Sequence, residues 1–156
     1  MRRIDQEIKD EKYINAIINN CDCCRIGLVE NNRAYIVPLN FGYICEDDKK
    51  VFYFHSAKEG KKNQLIKNSP LASFELDSSH GLKKGENSCS FSFTFKSVMG
   101  TGIISIVEDE QEKVKGLNSI MNHYTGKNDW QFNEKVFMRT EVIKLVVEEM
   151  SCKENI

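Results

Sequence analysis

Residues 51–62 read VFYFHSAKEGKK. Val51 to His55 form a run of strand-favouring residues. Ser56 and Glu59 follow with the Ser-x-x-Glu spacing of a capping box, which predicts a helix opening directly behind the strand. Leu65 and Ile66 give that helix an apolar side, and it must stop near Asn68, ahead of Pro70. A helix that opens at the tip of a strand gathers unpaired backbone N–H groups and the positive end of its dipole at one place, where an anion is favoured. Lys61 and Lys62 add formal charge for a phosphate. Gly60 lets a ligand approach the backbone. The same residues also read as a capped surface helix with solvated lysines, and every N–H that Ser56 and Glu59 satisfy is one fewer for a phosphate. The GxxxxGK spacing of a Walker A loop is absent.

Upstream, Asp10 caps a predicted helix to Asn20, with Ile14, Ile17 and Ile18 on one face. Cys24 to Val29 reads as a strand. The turn Glu30-Asn31-Asn32-Arg33 leads into a second run, Ala34 to Ile44. Pro38 lies inside that run and must sit at an edge, a bulge or an interruption. With a turn at residues 46–49, these two runs and Val51 to His55 read as a meander, since the connections are too short for parallel crossovers. Downstream, Leu71 to Leu76 reads as a strand and the polar stretch Ser78 to Asn87 as a loop. Ser88 to Val98 alternates with period two, placing Phe91, Phe93 and Phe95 on a packed face. Gly100 and Gly102 break the pattern and Ile103 to Val107 resumes it. Asp109 and Glu112 open a helix to about Tyr124 with Val114, Leu117, Ile120 and Met121 as its buried stripe. Val142 to Val147 is a last strand. The order is not the βαβ alternation of a doubly wound sheet. It predicts one mainly β domain over residues 1–156, an antiparallel barrel with helices over its openings.

The 156 residues can bury a sizeable core, and 40% apolar with 29% charged residues describes a globular chain. Twenty-two Lys and Arg against 23 Asp and Glu give no general attraction to nucleic acid or an acidic membrane surface. No apolar run reaches the roughly 20 residues of a membrane span, and the charged N-terminus lacks the apolar stretch of a signal peptide. A cytoplasmic setting is therefore expected, with the six cysteines as free thiols. Cys21, Cys23 and Cys24 cluster without a second paired motif at zinc spacing, so no metal site is expected.

Two further stretches carry candidate chemistry. In residues 35–43, YIVPLNFGY, the interruption at Pro38 frees backbone groups that a heterocycle can use, and Phe41 and Tyr43 can flank a ring; a kinked edge strand accounts for it as well. In residues 96–102, KSVMGTG, the glycines allow a close backbone approach or a bulge, or mark a plain turn. His80 is expected exposed in its loop and His123 near a helix C-terminus. A Cys24–His55 nucleophile pair has no oxyanion feature beside it.

Taken in order, the residues MRR at the start, YIVPLNFGY, VFYFHSAKEGKK and SVMGTG resemble the nitroimidazole-resistance (Nim-like) proteins of the pyridoxamine 5′-phosphate oxidase-like superfamily. The similarity runs from about Arg2 to Lys153. It implies an antiparallel split β-barrel of the FMN-binding type, a homodimer with two FMN sites at the subunit interface. In that frame Pro38, Leu39, Asn40 and Phe41 edge the isoalloxazine with backbone groups. His55, Ser56 and Ala57 lie along the flavin and its ribityl-phosphate tail, with Gly60, Lys61 and Lys62 at the phosphate. Ser97, Val98, Met99 and Gly100 line the same pocket, and His55 is the residue implicated in activity. The implied function is an FMN-dependent oxidoreductase, nitroreductase-like, acting on small nitroaromatics or quinones. NAD(P)H would visit the flavin pocket, since no GxGxxG fingerprint is present. The alternative is a non-catalytic flavin- or haem-binding carrier or sensor, with His55 or His123 as axial ligand.

Overall fold

The computed structural model describes residues 4–156, so Arg2 and Arg3 of the resemblance lie outside the described residues. Strand-forming segments and tight polar turns set the architecture. In chain order the elements are β1 (Glu7–Ile8), α1 (Glu11–Asn19), β2 (Cys24–Glu30), β3 (Arg33–Leu39), β4 (Gly42–Glu46), β5 (Lys49–Ala57) and α2 (Lys61–Asn68). Then come β6 (Leu71–Lys83), β7 (Ser92–Ile106), α3 (Glu110–Thr125), α4 (Glu134–Arg139) and β8 (Thr140–Asn155). The strands pair antiparallel in the order β3-β2-β6-β7-β8-β5-β4, with β1 added beside β8. This is the expected mainly β, split-barrel architecture with flanking helices.

Two hairpins form because Asn31 and Asn32 (φ 48° and 61°) and Asp47 and Asp48 (φ 48° and 62°) adopt the left-handed conformation that a two-residue hairpin turn needs. They do not make one meander. The chain breaks at Asn40–Phe41, where the Phe41 ring enters the core, and β3 and β4 end up at opposite ends of the strand order. Pro38 sits on β3, an edge strand, where its missing N–H costs no ladder bond.

The core gathers around Phe52. Its ring centroid lies 4.9 Å from those of Tyr43 and Phe74, 5.7 Å from Phe41 and 6.4 Å from Phe54. Helix α1 covers this cluster with Ile14, Ile17 and Ile18, and the Asp10 carboxylate accepts from the Lys12 N–H at 2.9 Å, as expected of its cap. Helix α3 is capped by Asp109, which accepts from the Glu112 N–H at 2.7 Å. Its buried line is Gly116 and Ile120; Val114 is exposed. Gly116 lies directly against Tyr53 and Val142, which seats the helix on β5 and β8 beside the expected Leu117 and Ile120 and leaves Val114 outside the contact.

Strands β6 and β7 are longer than expected. β6 runs on to Lys83 through the stretch read as a loop, because pairing with β7 resumes after a register shift between Ser78 and Gly81. β7 passes unbroken through Gly100 and Gly102. A Cβ at Gly100 would strike the Glu149 carbonyl and the Phe74 ring, and one at Gly102 the Val146 carbonyl. These glycines let the neighbouring strand and core close in; they do not end the strand. Phe91 and Phe93, expected on a packed face, are about half exposed near the tip of this hairpin, where Phe93 pairs with the exposed Leu82. No described helix is long and apolar enough to cross a membrane.

Candidate functional site

β5 extends past its buried run, Val51 to Phe54, and its last residues are held by β8: His55 opposite Val142, Ser56 opposite Glu141, Ala57 opposite Thr140. Ser56 is thus strand, and the expected capping box does not form. The Ser56 hydroxyl lies 2.8 Å from the Ala57 carbonyl and 3.1 Å from Asn63 Oδ1. Helix α2 starts only at Lys61, with Gly60 at its N-cap and no side chain capping it. Gly60 has φ 141° and ψ 162°, a conformation essentially restricted to glycine. The first backbone bond of the helix runs from the Gln64 N–H to the Gly60 carbonyl at 3.3 Å. The N–H groups of Lys61, Lys62 and Asn63 therefore have no acceptor among the described residues, and no cap competes for them.

The two lysines differ. Lys61 is paired with Glu30 at 2.6 Å and lies over the Tyr35 ring, 4.7 Å from its centroid. Lys62 is half-buried and has no ion pair among the described residues; burial pulls its pKa below the ordinary lysine value. His55 keeps much of its surface open to solvent, yet the protein packed around it, together with the Lys62 ammonium, draws its pKa below the usual histidine value. It is a neutral imidazole at neutral pH.

Asn63 was not anticipated. It is a buried polar residue, 3% exposed, whose amide donates to the Ala57 carbonyl at 2.7 Å, the Lys58 carbonyl at 3.1 Å and Glu141 Oε2 at 2.7 Å. Its one visible mark in the sequence was a weak helix former inside a short helix.

The other expected residues fall on two regions. Pro38, Arg25, Glu75, Met99 and Ser151 make one row across β3, β2, β6, β7 and β8, so the Pro38 stretch and the Ser97–Gly100 stretch share a band of the barrel. Met99 is exposed, Ser97 and Leu39 are half-buried and Asn40 is exposed. Phe41 and Val98 give their side chains to the core, and the Phe41 N–H donates to the Tyr124 hydroxyl at 3.2 Å, so any contact they make with a ligand is through the backbone. The partners of His55 and Met99 on β8, Val142 and Ser151, stand nine positions apart. That is about 30 Å along the strand, while the Tyr35 ring beneath Lys61 lies only three positions from Pro38 on β3.

The remaining candidates lose their chemistry. His123 Nε2 lies 2.8 Å from the Cys21 carbonyl with its ring 4.2 Å from Phe41, so that nitrogen is engaged by the backbone. His80 is paired with Asp77 at 3.0 Å rather than simply exposed. Burial pushes the Cys24 thiol far up, which removes it as a nucleophile, and pushes the Cys152 thiol to about 11. All six cysteines are free, and no cluster of metal-ligating side chains occurs among the described residues.

The family model for pyridoxamine 5′-phosphate oxidase matches residues 10–154. The chain belongs to this family. Within the pyridoxamine 5′-phosphate oxidase fold it is similar to a candidate 5-nitroimidazole antibiotic resistance protein of Bacteroides thetaiotaomicron, at 32% identity and TM-score 0.80, over 95% of this chain and 86% of that one. The resemblance drawn from the motifs is thereby shown. A flavocytochrome of Azotobacter vinelandii matches at 21% identity and TM-score 0.80, over 100% of this chain and 72% of that one. An FAD- and haem-binding protein of Mycobacterium smegmatis matches at 14% identity and TM-score 0.83, over 96% and 73%. The last two share the fold alone. No curated protein matches.

Proposed function

We propose that this member of the pyridoxamine 5′-phosphate oxidase family binds FMN as a homodimer and passes electrons from an NAD(P)H-type donor to a small nitroaromatic or quinone-like acceptor. The observation that carries the flavin reading is the β5–α2 junction. There an uncapped helix start, a glycine-only turn and an unpaired, half-buried lysine converge. Such groups are costly to leave without a partner, and a phosphate satisfies all of them. Proteins that share the fold, a flavocytochrome and FAD-binding proteins among them, support the same reading.

In this account Lys62 neutralises the phosphate, and Lys61, held by Glu30, contributes only its field. Gly60 admits the phosphate to the backbone. Ser56 and Ala57 border the tail, while Pro38, Leu39, Asn40, Ser97, Met99 and Gly100 supply edge and floor. FMN would contribute the two-electron chemistry that these side chains lack. His55, uncharged at neutral pH, presents an imidazole nitrogen that takes up or returns the proton accompanying reduction of the acceptor.

Support for the homodimer comes from the placement of His55 and Met99, whose partners on β8 stand nine positions apart. Val29, Ile36, Leu71, Met99 and Ile103 are exposed apolar residues on β2, β3, β6 and β7, a surface suited to a second copy. A shared site then takes its junction from one subunit and its Ser97–Gly100 band from the other. A cytoplasmic setting suits the six free thiols.

The test is anaerobic mixing of FMN-loaded protein with NADH or NADPH, then with a 5-nitroimidazole. Bleaching followed by recolouring supports the enzyme. Loaded protein that neither donor reduces contradicts the oxidoreductase reading and leaves a flavin carrier.

A further inference from the structure

Asn63 makes four hydrogen bonds from a nearly inaccessible position on the first turn of α2. They reach back onto the end of β5, onto Lys58 behind it and onto β8. Two of its acceptors are the carbonyls of Ala57 and Lys58. No peptide bond is cis, so in each peptide unit the carbonyl oxygen and the next N–H point in opposite directions. Once the Ala57 and Lys58 carbonyls are turned toward the Asn63 amide, the N–H groups of Lys58 and Glu59 must face away from it.

We infer that Asn63 is the positioning residue of the phosphate cradle: it turns the Ala57–Lys58 and Lys58–Glu59 peptide units so that the N–H groups of Lys58 and Glu59 join those of the uncapped helix and the Lys62 ammonium in one anion-binding nest. The inference rests on the flavin reading above and adds a residue to it. Successive backbone N–H groups facing one concavity bind anions without any side-chain charge. An unrestrained three-residue link would sample many orientations, and each residue fixed into one costs about 1–2 kcal/mol of conformational free energy. Asn63 meets that cost in advance. Glu141 and Ser56 in turn hold the Asn63 amide and its oxygen, and both belong to paired strands, so the link is anchored to the barrel rather than to solvent. Helix stability alone does not explain asparagine here, since it is a poorer helix former than alanine.

The experiment compares dissociation constants for FMN and riboflavin, which differ only by the phosphate, in the full-length protein and in Asn63→Ala. The ratio of the two constants isolates the phosphate term, and a merely structural role would weaken both ligands alike. The expected result is a loss of at least tenfold for FMN with less than threefold for riboflavin. Glu141→Ala removes one restraint on the amide while leaving its bonds to the loop, and should lower the ratio by about two- to fivefold. It carries the test if Asn63→Ala fails to fold. An unchanged ratio in whichever of the two variants folds overturns the inference while leaving FMN binding intact. A wild-type protein that binds riboflavin as tightly as FMN overturns it as well. A wild-type protein that binds neither overturns both this inference and the flavin reading.

Discussion

Replacing Lys62 by methionine separates the two lysines that the sequence presents as equivalent. Methionine keeps most of the stem's packing and removes only the charge. A charge-assisted hydrogen bond contributes about 1.5–3 kcal/mol, so Lys62→Met should weaken FMN binding by about 10- to 150-fold, at 1.4 kcal/mol per factor of ten. Riboflavin, lacking the phosphate, should be affected less than threefold. Lys61→Met breaks an exposed pair with Glu30 that contributes at most about 1 kcal/mol, and FMN affinity should fall no more than about fivefold. Because burial already disfavours the Lys62 charge, apoprotein stability should be unchanged or slightly raised in Lys62→Met. The assay is quenching of flavin fluorescence on titration with apoprotein, run for both flavins and both variants. Equal losses at positions 61 and 62, or an FMN affinity untouched by Lys62→Met, would refute the assignment of the phosphate charge.

The His55 imidazole should titrate below the ordinary histidine pKa of about 6.5, followed by NMR, and its midpoint should rise in Lys62→Met; a wild-type midpoint above 6.5 contradicts the cause assigned here. Since the folded pKa is depressed, this group's contribution to stability is complete above about pH 6.5 and is lost as the pH falls from there through the folded value, a slope that His55→Gln should abolish in urea titrations. Phe52→Ala empties the centre of the aromatic cluster and should cost about 3–5 kcal/mol in urea unfolding; a loss under 1 kcal/mol would show that Phe52 is not the hub. Met99→Glu places a charge on the proposed subunit contact and should give monomers by sedimentation velocity with impaired FMN binding, although His55 and Lys62 are untouched; a flavin-loaded monomer of the unsubstituted protein would contradict the shared site.

Local rules carried the fold a long way. The Asn-Asn and Asp-Asp turns, the Asp10 and Asp109 caps and the isoleucines of α1 stand where their spacing placed them, because each depends on residues within a few positions of one another. What the sequence concealed was set across the barrel. Gly100 and Gly102 looked like strand breakers until β8 and Phe74 were seen pressed against them. Ser78 to Lys83 looked like a loop because its strand character comes from pairing with β7. At the site, Lys62 and Gly60 were legible, while the capping box was a false signal, since β8 draws Ser56 into the sheet. The difference between Lys61 and Lys62 depends on Glu30 and Tyr35, which lie far off in the chain. The role of Asn63 depends likewise on Glu141.

The most direct test of the central claim is the visible absorbance spectrum of the purified protein, with the cofactor released and identified by mass spectrometry. The account predicts a two-banded flavin spectrum and the mass of FMN. A Soret band, or a colourless protein that takes up no added FMN, would contradict it.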